Sequence, residues 1–445
     1  MAEARIMLAS AESLEARFPE VFHRGGLKRH LPLIILIGLV LYMIYAAWFF
    51  SLPSVLGGAR WERLGNYLSQ WVSYDVSAEY RLDGETIEPR WPRFSVLGND
   101  PHPDWIVSDI RGTRIELAGA GSGVAFTQSH ATLFNQGEEV AINLAGNAPV
   151  IEGRQPAWIE IKGDEVVGDY GFAGEIRVGV DRVKFRKRTL GWPNFLFDPM
   201  SPFFGKPPGE VLSLIVSGPE LKPGVSNLAL AFDNIWNNGQ WQHGDVWTKL
   251  LQTIVMAFAG TLTGAIVAFP LSFLAARNIT RNGLLNHGLK RFFDFLRSVD
   301  MLIWALFFTR GFGPGPLAGI GAIAFTETGT LGKLYSEGLE NIDDKQREGI
   351  KSTGAGPIEV QRFGVVPQVL PVMISQTLYQ WESNTRSATI IGAVGAGGIG
   401  LKLWEAMRTN SNWSNVFYMV LLILVVVFIF DNFSNALRSR LIRHQ

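Results

Sequence analysis

Apolar and polar positions along this chain sort into two regimes. Residues 31–50 are twenty uncharged, mostly apolar residues in a row, enough for a helix to cross a hydrocarbon core of about 30 Å at roughly 1.5 Å per residue. Five more apolar stretches follow, all in the second half: residues 246–276, 292–308, 314–334, 368–381 and 413–430. Between the first stretch and the second, residues 51–244 hold no spanning run. They carry short alternating segments at 113–117, 139–144, 157–161 and 175–183, separated by Gly, Pro, Asn and Asp. Alternation with a period of two, punctuated by turn residues, predicts strands. The end of this region differs: residues 202–223 are rich in Pro and Gly, and 225–241 carry aromatic anchors expected to lie along a membrane surface.

The charges orient these elements. Residues 1–22 mix apolar positions with Glu and Arg and read as an amphipathic helix on the membrane surface, followed by Arg24, Lys28 and Arg29. The apolar run after them is too long for a cleaved signal peptide and reads as a retained span. Basic residues gather on the cytoplasmic side of spans. Arg277 and Arg281 after the second stretch, and Arg438, Arg440 and Arg443 after the last, therefore place six spans with both termini inside. The expected fold is mainly α, a polytopic membrane protein with six transmembrane helices and an inserted β-rich extracytoplasmic domain. Residues 1–30 form the amphipathic cytoplasmic segment, 31–50 the first span, 51–244 the outer domain and 245–443 the helical core.

Composition supports this and removes other classes. Hydrophobic residues make up 47% and charged residues 18% of the 445, which favours a membrane protein with a soluble part. Forty basic and forty acidic residues balance, so nothing points to nucleic acid. There is no cysteine, which removes disulfides and thiolate chemistry. The seven His are scattered without helical metal spacing, so no metal site is expected. No GxSxG elbow appears. Gly332-Lys333 lacks the upstream glycine and following hydroxyl of a phosphate-binding loop.

The chemistry concentrates in residues 348–400. EGIKSTGAGPIEVQRFGVVPQVLP (348–371) is too polar in its first half for a lipid-facing helix. Gly354 and Gly356-Pro357 break the helical pattern, so two short helices at a bend are expected, with Pro367 and Pro371 opening the next span. On composition such a protrusion suits the groove of a partner or is an ordinary cytoplasmic loop. The second block, ESNTRSATIIGAVGAGGIG (382–400), combines ionisable residues with Gly392, Gly395, Gly397, Gly398 and Gly400. These glycines fit close helix packing and a gate hinge equally well. Glu382, Arg386 and Lys402 are expected at or near the outer end of a span, where charge is costly. Arg386 offers an oxyanion a planar donor fork, or pairs with Glu382 four residues earlier.

These two blocks resemble the coupling loop and closing segment of permease subunits of ABC importers, and more closely the phosphonate permease branch. Glu348 and Gly354 occupy the Glu and Gly positions of the coupling motif, and Val366-Pro367 its hydrophobic-Pro pair. Gly349 and Ile350 stand where the general motif has two alanines. Residues 253–278, and Asp431 with Arg438, are similar to the same branch, whereas Asp300 stands where the branch tends to have Pro. The resemblance covers roughly 245–443 and leaves out most of the outer domain. It implies ATPase coupling through Glu348, Gly349, Ile350, Lys351, Gly354, Val366 and Pro367. It implies a substrate pathway or gate through Glu382, Asn384, Arg386 and the five glycines. The implied partners are a second copy of the permease, two ATPase subunits, a periplasmic substrate-binding protein, membrane lipid and a phosphonate-type substrate. This chain would be no enzyme and hold no cofactor; ATP and Mg would sit in the partner ATPase. The resemblance leaves phosphate, phosphite and an amino acid as other cargoes. From the residues alone, a membrane-anchored sensor or structural protein acting through its outer β domain is the rival.

Overall fold

The computed structural model describes residues 26–443 apart from 60, 83–86, 93–94, 99–100, 110–111 and 410–412; the amphipathic reading of residues 1–22 therefore lies outside the described residues. The chain divides into two compact units, Met1–Tyr67 and Leu68–Gln445. In the first, helix α1 (Gly26–Phe49) contains the expected span and begins ahead of Lys28 and Arg29, which fall in its opening turns. None of its apolar window is buried by protein. A helix hydrophobic on every side needs lipid or another helix around it. Short helices α2 (Leu52–Gly57) and α3 (Trp61–Gln70) follow, α3 running on into the second unit.

The second unit opens with twelve strands in two six-stranded antiparallel sheets. One sheet has the order β2 (Pro89–Arg90), β1 (Ser73–Arg81), β12 (Arg182–Leu190), β11 (Gly174–Val178), β10 (Glu165–Asp169), β9 (Ile159–Lys162). The other runs consecutively through β3 (Ile106–Asp109), β4 (Gly112–Glu116), β5 (Ser122–Phe126), β6 (His130–Asn135), β7 (Glu138–Asn143) and β8 (Val150–Glu152). Both sheets supply one core. Val76, Ala78 and Tyr80 of β1 pack with Val183 and Phe185 of β12, Ile115 of β4 and Leu133 of β6. The alternate residues of β1, Asp75 and Glu79, face outward and pair with Arg186, Arg188 and Lys184 of β12. This inward–outward alternation is what the period of two predicted. One strand expectation fails. Residues 175–183 are not a single strand but β11 and β12 joined by a turn, closed by Gly179 N–H to Arg182 O at 2.8 Å. Val180, apolar inside the turn, prolonged the apparent alternation.

β1 and β12 pair along their whole lengths, from Ser73 opposite Leu190 to Arg81 opposite Arg182. The strand that enters the sandwich thus lies beside the strand that leaves it. Below them, α4 (Pro208–Ser217) and α5 (Asn227–Trp236) lead to the helical core. α5 buries Leu230 and Ala231 but leaves Leu228, Phe232 and Trp236 outward, the two rings stacked at 6.0 Å.

The core comprises α6 (His243–Ala275), α7 (Gly283–Ser298), α8 (Met301–Phe312), α9 (Pro316–Glu340), α10 (Asp344–Ser352), α11 (Pro357–Val360), α12 (Val366–Ile391), α13 (Gly398–Thr409) and α14 (Trp413–Arg443). Wide-turn segments at Gln361–Val365 and Gly392–Ala396 flank α12. By length and composition three described helices are apolar enough to cross a membrane, within α1, α6 and α14. The pair made by α12 with its flanks and α13, bent by 58°, is a fourth.

Three span expectations shift. Residues 292–308 are not one helix: α7 ends at Ser298, and the Asp300 carboxylate accepts the Leu302 N–H at 2.8 Å to cap α8. A capping side chain satisfies an N–H that a helix start leaves unpaired, so the charged residue expected inside a span instead separates two helices. α12 and α14 both extend well beyond the expected ends at 381 and 430. They carry Glu382, Arg386, Asp431 and Arg438 inside helices because these side chains neutralise one another.

Candidate functional site

The polar half of the 348–400 block forms a protruding elbow. The Asp343 carboxylate accepts the Lys345 N–H at 3.0 Å and starts α10, which carries Glu348, Gly349, Ile350 and Lys351. The chain then reverses at Gly354, whose φ of +87° is a left-handed conformation that L side chains resist. Pro357 opens α11, and the Glu359 carboxylate accepts the Gly356 N–H at 2.7 Å to fix its entry. Val360 and Val365 turn inward, Val365 and Val369 joining Leu331, Tyr335 and Leu339. On the other side Glu348, Lys351 and Gly354 are exposed, as are Ile358 and Phe363, at 82% and 60%. Val366 and Pro367 open α12, Pro367 exposed in its first turn where no backbone N–H is needed. Ile358 and Phe363 are as apolar in the sequence as Val360 and Val365. The structure shows them on the surface, and only alternation with buried Val360 and Val365 distinguishes them.

Besides this apolar packing, a polar contact ties the elbow to the helical core. Arg347 donates to the Asn278 carbonyl at 3.2 Å, and Asn278 donates to the Leu339 carbonyl at 2.7 Å. Nearby, Glu340 accepts from Lys290 Nζ at 2.7 Å and from the Arg277 N–H at 2.8 Å. The end of α6, the middle of α7 and the end of α9 are thus joined near α10.

The second half of the block does not gather as the sequence suggested. Glu382 and Arg386 lie in the second half of α12, which ends at Ile391, and stand against α14. Arg438 reaches Glu382 at 3.2 Å, Arg386 lies 3.8 Å from Asp431, and the Arg386–Glu382 distance is 4.0 Å. Two cations therefore meet two carboxylates. This balanced set favours the ion-pair reading of Arg386 over an oxyanion fork. Lys402 is elsewhere, on α13, donating to Gln242 Oε1 at 2.7 Å and to Asp245 at the start of α6. Asn384 is buried deeper between helices, where it donates to Thr261 Oγ1 at 2.9 Å beside the buried Glu327 carboxyl of α9.

The glycines divide by role. Gly395, Gly397 and Gly398 hold φ of +99°, +85° and +72°, making the sharp bend between α12 and α13. Gly392 and Gly400 instead permit contact: a Cβ on Gly400 would fall 1.8 Å from the Thr389 carbonyl oxygen, and one on Gly392 only 2.6 Å from that of Gly397. Thr253 Oγ1 of α6 accepts the Ile399 N–H at 2.8 Å, and Gly315 donates to Gly395 O at 2.9 Å. The bend is thereby pinned between α6 and the start of α9. Among the described residues no group of three or more His, Cys, Asp or Glu is arranged to hold a metal ion.

Residues 268–443 match the model of a family described as binding-protein-dependent transport system inner membrane component. The sandwich lies outside that match. The phosphite transport system permease protein PtxC of Stutzerimonas stutzeri is 35% identical over 194 residues, 43% of this chain and 70% of that one. The putative cryptic phosphonate transport system permease protein PhnE2 of Escherichia coli K12 is 46% identical over 121 residues, 27% of this chain and 98% of that one. The phosphate-import permease protein PhnE of Mycolicibacterium smegmatis is 34% identical over 198 residues, 44% of this chain but only 37% of that relative. The chain thus spans little more than a third of the mycobacterial protein. With the family model matching the helical core from late α6 to the end of α14, and 70% of the phosphite permease aligned at 35% identity, the chain belongs to the binding-protein-dependent transport system inner membrane component family.

Proposed function

We propose that this chain is the permease subunit of an ABC importer that moves phosphonates or related phosphorus oxyanions across the bacterial inner membrane. The observation that carries the reading is the exposed elbow of α10 and α11, within a helical core whose relatives bear the names of phosphite and phosphonate permeases. Two copies would enclose the path, and two ATPase subunits would grip the elbows through Glu348, Gly349, Ile350, Lys351 and Gly354. A periplasmic binding protein would deliver cargo at the opposite face. In this reading the chain would make six crossings, with α7 and α8 sharing one, the sandwich outside and both termini inside. Phosphite is the second reading for cargo, on the names of the Stutzerimonas relatives. In this scheme closure of the ATPase pair turns the elbow, and the Arg347–Asn278–Leu339 chain carries that movement to α6 and α9.

The test is co-purification of the full chain with candidate ATPase and binding-protein partners, followed by ATPase measurement with methylphosphonate and phosphite. Stimulation by either in the presence of the binding protein is expected. A chain that captures no ATPase, or an assembly whose turnover ignores both anions, refutes the reading.

A further inference from the structure

The charge on this molecule is not evenly neutralised. α7 and α9 touch through two glycines: a Cβ on Gly329 would lie 2.8 Å from Leu296 Cβ and the Arg297 nitrogen, and one on Gly332 would lie 2.5 Å from the Phe293 ring. This close approach brings α7's polar edge against Lys333 of α9 and frames an open cavity of about 660 Å³. Its lining is Arg291, Asp294, Arg297, Ser298, Thr330 and Lys333. Asp294 is shared by all three cations, at 2.8 Å from Lys333, 3.1 Å from Arg297 and 3.3 Å from Arg291. Three positive groups thus surround one carboxylate, whereas the set around Arg386 is balanced. The Ser298 and Thr330 hydroxyls donate to the carbonyls of Phe295 and Thr326 at 2.9 and 3.1 Å. The donors left to a ligand are therefore the guanidinium and ammonium groups.

We propose that this cavity binds a tetrahedral phosphorus oxyanion, with Arg297 and Lys333 as its principal contacts and Arg291 as an outer one. Guanidinium and ammonium donors around a space several times larger than such an anion admit it with part of its hydration. Asp294 serves two ends. It fixes the cations in place when no anion is present, and its negative charge keeps binding weak enough for release. The cavity lies seven residues, about 10 Å along a helix, from Glu340, where α9 meets the elbow region. On the proposed topology that is the inner side, so the site would receive the anion late in its passage. This inference rests on the importer reading for its cargo and direction.

The test titrates methylphosphonate into the full-length chain in lipid nanodiscs, read by calorimetry, with sulfate in parallel and uptake measured in cells carrying the same variants. Saturable methylphosphonate binding that weakens with added salt is expected, since exposed charges are screened. Lys333→Gln and Arg297→Gln should each weaken it about tenfold, whereas Asp294→Asn should tighten it about fivefold, the scale of one unit charge a few ångströms away in a partly solvated site. A gain of affinity cannot arise from misfolding. Arg386→Gln should leave binding unchanged. Absence of saturable binding, or binding indifferent to both Lys333→Gln and Asp294→Asn, overturns the site even where uptake proceeds. Binding that follows this pattern in a chain that supports no uptake upholds the site and refutes the importer reading.

Discussion

Ile358 and Phe363 give the most direct test of the elbow as a docking surface. Both are exposed, whereas Val360 and Val365 between and beside them face the core. Fully burying an Ile or Phe side chain contributes roughly 1.5–3 kcal/mol. Scaled by exposures of 82% and 60%, the pair has roughly 2–4 kcal/mol to gain when a partner covers them. At about 1.4 kcal/mol per factor of ten, Ile358→Ser with Phe363→Ser should weaken ATPase association by roughly 30- to 1,000-fold. The same changes should alter folding stability by no more than about 0.5 kcal/mol, because these side chains pack against little within the chain. Val365→Ala is the opposite control. It empties a fully buried position and should cost about 2 kcal/mol of stability while leaving the docking face intact. The assay is surface-immobilised, detergent-solubilised permease titrated with the purified ATPase, with thermal unfolding followed on the same samples. An unchanged dissociation constant in the double Ser variant, with normal unfolding, refutes the assignment of this face.

Three further outcomes follow from particular contacts. Tyr80 is buried at the centre of the sandwich, its hydroxyl without a partner among the described residues, and burial pushes its pKa up to about 12. Tyr80→Phe should raise sandwich stability by about 1 kcal/mol in thermal unfolding. In the parent, the unfolded phenol ionises from about pH 10 while the folded one does not, so stability should fall from pH 10 towards 12, and this part of the fall should vanish in the Phe variant. Gly354→Val meets open space but a φ of +87°, so it should strain the elbow by roughly 1–2 kcal/mol and reduce coupled transport with normal membrane insertion; full uptake would contradict the role of the turn. Arg438→Met should lower abundance by leaving Glu382, whose side chain is only 13% exposed, short of its nearest cation. Adding Glu382→Gln should restore abundance, as judged by fluorescence-detected size exclusion.

Much of this architecture was legible because the relevant periods are strong. The run within α1, the alternation of β4 and β7 and the bend at Gly354 all follow from local rules of length, parity and backbone freedom. Failures occurred where a tertiary contact reversed a local signal. Asp300 looked like a charge inside a span, but whether it caps α8 or interrupts a helix depends on a single hydrogen bond to Leu302. Glu382 and Arg386 were placed near a helix end because charge is costly within a span. Their partners Asp431 and Arg438 stand about fifty residues away in sequence, and no pattern local to α12 announces them. The Arg291–Asp294–Arg297–Lys333 cluster was hidden for the same reason. Three members lie on one helix with helical spacing, but Lys333 joins only because Gly329 and Gly332 let α9 approach.

The way the sandwich is inserted explains how so large an addition coexists with a helical core of the family type. Because β1 and β12 pair in full register, the chain departs and returns at nearly one place. The joint there is an aromatic seat. Trp192 donates to the Trp71 carbonyl at 3.1 Å, Trp241 to that of Pro193 at 2.9 Å, and His243 meets Tyr418 Oη at 2.8 Å and the Phe195 carbonyl at 2.6 Å. Ser414 at the start of α14 donates to the Ser73 carbonyl at 2.9 Å. The seat therefore grips the sandwich's first and last strands and the first turns of α6 and α14, leaving the elbow and its neighbours untouched. An insert whose ends already meet imposes no separation on the helices it interrupts. Its own core is built from residues of both sheets. The bundle is free to keep its own packing while the sandwich follows whatever task its outward faces serve.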